Sequence, residues 1–111
     1  MPRVVTQVDL DAIVRQHRLV QAASNPDRPA FHVRNPSSRR KGVLTDNRVG
    51  PGGEVGGYFW LTSLPDRGSA LLRRRPDLQP VGTGRSCVRV QDLGLEELQR
   101  VVTEAVDYLE L

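Results

Sequence analysis

Gly82-Thr83-Gly84-Arg85-Ser86-Cys87-Val88-Arg89-Val90-Gln91-Asp92 reads as a strand that ends at a helix start, and Leu95 to Leu109 then follows a helical period. Residues 95, 98, 102, 105 and 109 are all apolar, so they form one continuous stripe along a helix. Val88 and Val90 alternate with charged Arg89, as on a half-buried strand. A strand feeding a long amphipathic helix needs a sheet to pack against, which makes the chain α+β. Asp92 is the expected cap of this last helix.

Upstream, the same reading yields further elements. Asp9 is expected to cap a helix whose apolar side carries Leu10, Ile13, Val14 and His17. Ser24-Asn25-Pro26-Asp27-Arg28-Pro29 then ends it. Phe31 and Val33 alternate with His32 and Arg34, Val43-Leu44-Thr45 gives a second strand, and Tyr58 to Leu64 gives a third, the most apolar and hence central. Trp60 is expected in the core. Pro65 and Asp66 open a short helix that Pro76 stops. The predicted order is α-β-β-β-α-β-α: a two-layer domain spanning 1–111, with a four-stranded, mainly antiparallel sheet and helices on one face.

Length and composition limit the alternatives. A chain of 111 residues is one domain by length, and the 38% apolar and 26% charged fractions suit a globular fold. No apolar run is long enough to span a bilayer, and the first residues lack the apolar segment of a secretory signal. Cys87 is the single cysteine, so no intramolecular disulfide forms, and a reducing, cytoplasmic setting is expected.

Charge is unevenly spread over the chain. From Asp92 onward six acidic residues face Arg100 alone, a balance of −5, so the first 91 residues carry +8. Arg34, Arg39, Arg40, Lys41 and Arg48 lie on or beside two loops that flank a short strand. Projecting there, they are candidates to straddle a phosphate backbone, with Ser37 and Ser38 as further donors; a merely solvated charged surface is the plainer reading.

Other constellations carry less. Gly50 to Gly57 is glycine-rich but lacks the Lys-Ser/Thr pair of a phosphate loop and precedes a strand, so a hairpin tip is expected. His17 and His32 have no ligand-spaced partner, which argues against zinc; a general-base role for His32 has no paired acid or nucleophile. Cys87 stands between Arg85 and Arg89, whose charges lower a thiol pKa if they approach it; a small apolar filler is the alternative. Glu97 and Glu104 share a helix face but bind hard cations weakly unless others converge.

Leu64-Pro65, Ala70-Leu71-Leu72, Arg75-Pro76-Asp77, and Val88-Arg89-Val90 leading into Leu95-Glu96-Glu97-Leu98 together resemble the MmcQ/YjbR family over Tyr58 to Leu111. That resemblance implies a small bacterial protein with the double-wing, frataxin-like α+β fold and a suspected DNA-binding role. Thr83-Gly84-Arg85-Ser86-Cys87-Val88-Arg89-Val90 also resembles the YdhG-like group, which includes frataxin-like iron chaperones. The function expected is a non-catalytic module that contacts DNA backbone through Arg34, Arg39, Arg40, Lys41 and Arg48. No cofactor and no catalytic residue are expected. The alternatives are a homodimerising or protein-interaction module, whose acidic helix meets the basic half of a second copy, and a metal carrier.

Overall fold

A computed structural model of the chain describes residues 3–22 and 27–111. Thr6, not Asp9, is the cap of helix α1 (Gln7–His17): its hydroxyl accepts the Asp9 N–H while the Asp9 carboxylate accepts the Thr6 N–H, a reciprocal capping box. The helix stops before the proline-rich turn predicted to end it. Arg18 adopts a left-handed conformation (φ 54°), and Leu19 donates its N–H back to the Val14 carbonyl, which turns the chain at once. The turn frees Val20–Gln21 to form strand β1; residues 24–26 of the predicted breaker lie outside the described residues.

The sheet has five antiparallel strands in the order β1-β2-β3-β4-β5, one more than predicted, the addition being β1 at the edge. The others are β2 (Phe31–His32), β3 (Gly42–Thr45), β4 (Tyr58–Trp60) and β5 (Cys87–Arg89). Leu44, Phe59 and Val88 stand in register across β3, β4 and β5, and all three are fully buried. Their in-register neighbours Thr45, Tyr58 and Arg89 point the other way and are half-buried or exposed, as the pleat requires.

The predicted third strand is shorter than its apolar run. After Trp60 the chain coils into a 3-10 turn over Leu61–Ser63, burying Leu61 and Ser63. Pro65 opens only a distorted 3-10 turn, Pro65–Gly68, in which Asp66 and Arg67 are left-handed (φ 51° and 54°), and helix α2 begins later, at Ser69, and ends at Arg74. Helix α3 (Val90–Leu109) contains a break at Gly94, whose φ of 78° with ψ of 169° is a conformation open essentially to glycine alone. Beyond the break, the Leu95 N–H is satisfied by the Arg3 carbonyl at 2.8 Å, so the N-terminal segment does the capping expected of Asp92. The predicted stripe holds: Leu95, Leu98, Val102, Ala105 and Leu109 are all buried, in one core with Leu10 and Ile13 of α1 and the inner row of the sheet. No helix among the described residues is long and apolar enough to cross a membrane.

Candidate nucleic-acid interface

The connection from β2 to β3, residues 33–41, carries four of the five predicted site residues. It is an anchored structure. The Val33 N–H donates to the Lys41 carbonyl and closes its base. Ser37 donates both its N–H (2.8 Å) and its hydroxyl (3.0 Å) to the Leu109 carbonyl at the C-terminus of α3. Asn35 donates its N–H to the Glu110 carboxylate at 2.7 Å. The helix end thus gains partners for a carbonyl that has none within the helix, and the loop gains a fixed path. Ser37 and Ser38 are therefore committed internally: the Ser38 hydroxyl accepts the Arg40 N–H.

Arg34, Arg39, Arg40 and Lys41 are all exposed, and none makes an ion pair among the described residues. Arg48 stands apart from them. It follows the opposite end of β3, and its guanidinium lies 2.9 Å from the Asp46 carboxylate. The two predicted loops thus do not pool their cations: one presents four free ones and the other a neutralised arginine.

Trp60 enters the site unpredicted. Phe59 takes the inward position on β4, so Trp60 is turned to the opposite face and stays half-buried. A cavity of about 360 Å³ is lined by Arg39, Arg40, Lys41, Gly42, Trp60 and Thr62, with no carboxylate among them. Gly42 matters through close approach: a Cβ there would lie 3.5 Å from Cδ1 and Nε1 of the indole, against the ring edge. The period-2 alternation of Tyr58-Phe59-Trp60 was the available signal, hidden inside a continuous apolar run.

A larger cavity, about 460 Å³, lies beside the Gly94 break and is lined by Arg3, Arg75 and Arg100 together with Glu96 and Glu97. Its charges are mixed and mostly committed. Arg75 donates to the Asp77 carboxylate at 2.8 and 2.9 Å and to the carbonyls of Asp92 and Leu93. Arg100 pairs with Glu104. We therefore place the candidate site at the smaller cavity, where charge of one sign is left unpaired.

The remaining candidates resolve individually. The acidic face of α3 is tied to α2: Arg74 reaches Glu97 at 3.0 and 3.3 Å and Glu104 at 3.8 Å. The hydrogen bond to Glu97 raises the Arg74 pKa still further above its ordinary value. Among the described residues no three His, Cys, Asp or Glu side chains are grouped to hold a metal ion. Cys87 is buried, and burial pushes its thiol pKa up, contrary to the lowering that flanking arginines would produce. His17 is not a core residue; its Nε2 lies 3.3 Å from the Thr103 hydroxyl at the partly exposed α1–α3 contact. The His32 Nδ1–H donates to the Val33 carbonyl at 2.8 Å, and no carboxylate or nucleophile bonds the ring among the described residues. Comparison with family models, curated proteins and solved structures gives no match, so the chain's own geometry is what bears on its function.

Proposed function

We propose that this protein is a non-catalytic binding module that contacts nucleic-acid backbone through the 33–41 loop, with Arg34, Arg39, Arg40 and Lys41 as the phosphate-contacting side chains. The supporting observation is the clustering of unpaired cations on an anchored loop. Arg48, Arg74, Arg75 and Arg100 sit within ion-pair distance of carboxylates, whereas the four on this loop have no such partner among the described residues. Arg3, Arg15, Arg18, Arg67, Arg73, Arg85 and Arg89 lack an ion pair there too, but the loop alone gathers four such cations between positions 34 and 41 on a backbone tied to the end of α3, and free cations on a fixed backbone path suit a polyanion.

The test is affinity for a 20-nucleotide DNA, as single strand and as duplex, measured across salt concentrations. Log affinity should fall with log salt by a slope of about 0.7–0.9 per phosphate contacted. Replacing Arg39, Arg40 and Lys41 together with serine should flatten that slope by about two to three units. Parent protein that binds neither form in a salt-dependent way, or a triple variant with the parental slope, refutes the reading.

A further inference from the structure

We propose that the cavity beside the loop receives one unpaired nucleobase stacked on Trp60, so that the ligand is single-stranded nucleic acid in preference to duplex. The inference rests on the backbone-binding reading above and adds to it the strand form recognised.

Three observations lead there. Trp60 is the chain's single tryptophan and, although it sits in the sheet, it is turned away from the core row and lines a cavity. Its indole N–H has no hydrogen-bond partner among the described residues and is not fully buried. The Thr62 hydroxyl on the same wall likewise has no partner among the described residues, and so is available to a base edge. Against this aromatic wall stand three unpaired cations, Arg39, Arg40 and Lys41. An aromatic face beside a phosphate-binding row is the arrangement that holds single strands: the backbone is tracked by charge and a base is held by stacking. A cavity of about 360 Å³ is at the small end of ligand sites, enough for one planar group. In a duplex the base faces are already stacked on one another, so the indole finds none to meet, while an extended strand can turn a base outward.

The single tryptophan is also the probe. Titration of the parent with a ten-residue oligothymidylate should quench and shift Trp60 emission, whereas an abasic oligomer of equal length, which supplies the same phosphates, should bind more weakly and leave emission unchanged. Trp60→Leu should lose about ten-fold in affinity for the oligothymidylate, the order of one base stack, and keep its affinity for the abasic oligomer and for duplex. Trp60→Phe, which retains a ring, should recover much of the loss; the quenching in the parent needs no substitution at all.

Equal affinity of the parent for the oligothymidylate and the abasic oligomer, with unmoved emission, overturns the stacking proposal and leaves backbone binding intact. Thymidine 5′-monophosphate binding as tightly as the oligomer overturns it in favour of a mononucleotide site. No binding of any of these ligands by the parent removes both readings together.

Discussion

Arg74→Met provides the most direct check on the division between structural and free cations. The Arg74 guanidinium grips the Glu97 carboxylate through two contacts, at 3.0 and 3.3 Å, and the Glu97 side chain is only 10% exposed. A hydrogen bond to a charged group contributes roughly 1.5–3 kcal/mol, and breaking a fully buried pair costs about 3–5 kcal/mol. Two features lower the figure here. Arg74 itself is about a quarter exposed, so solvent screens the pair, and Arg75 remains at 4.0 Å as a fallback partner. A loss of about 2 kcal/mol follows, read as a drop of about 1–2 M in the urea midpoint with unchanged slope. Glu97→Gln and the double variant complete a cycle whose coupling energy should be about 1–2 kcal/mol. Nucleic-acid affinity should stay within about two-fold of the parent, because Arg74 is already paired. A coupling energy below about 0.3 kcal/mol would show that the pair behaves as an ordinary surface contact, and the argument that Arg74 is withdrawn from ligand binding by its carboxylate partner would fail with it.

Cys87 should be inert in the folded protein, with iodoacetamide labelling at neutral pH limited by unfolding; rapid labelling of the native thiol would contradict its burial. Because burial raises the folded thiol pKa above its ordinary 9.0, its contribution to stability is complete below that pH and is lost as pH rises through the folded value. Cys87→Ala should remove that part of the alkaline decline in melting temperature. At the other extreme, the Thr6 N–H holds the Asp9 carboxyl below its ordinary 3.8, so the capping box stabilises above that pH and is lost as pH falls through the lower folded value. Thr6→Ala should cost about 1 kcal/mol in urea unfolding at neutral pH, and an unchanged midpoint would show that the cap contributes nothing.

What was legible in the sequence followed how local its cause is. The α3 stripe was readable because five apolar positions at helical spacing have one physical solution, burial of that side. Strand β1 was not, since Val20–Gln21 is held by backbone pairing to β2 rather than by a pattern of its own. Thr6 lost to Asp9 in the reading because both are good caps, and the reciprocal bond between them is decided by geometry. The cationic run Arg39-Arg40-Lys41 was visible as contiguous charge, whereas its aromatic neighbour Trp60 lies on another strand and reaches it only through the β3–β4 pairing. The pairing of Arg74 with Glu97 crosses 23 positions and was equally invisible, so a count of arginines overstated the free positive charge.

The acidic C-terminal end of α3 lies against the basic loop, which raises the question of why it does not neutralise it. The contacts supply the reason. Glu110 is spent on the Asn35 N–H, and the Leu109 carbonyl is spent on Ser37, so both groups bind the loop's backbone and not its cationic side chains. The negative end of the helix still favours nearby positive charge, by about 0.3–1 kcal/mol per group at an exposed site. Its attraction therefore offsets part of the mutual repulsion among Arg39, Arg40 and Lys41 without covering them. Ordering the loop is also completed on folding, so a ligand meets a fixed backbone and has only side-chain rotamers left to order, at about 0.5–1.5 kcal/mol each. Weakening the tether should expose this difference: Ser37→Ala removes only the hydroxyl's bond to the Leu109 carbonyl, keeps the Ser37 and Asn35 N–H bonds and leaves every cation in place, yet should lower DNA affinity about two-fold; parental affinity would show that the hydroxyl adds nothing to the presentation of the loop.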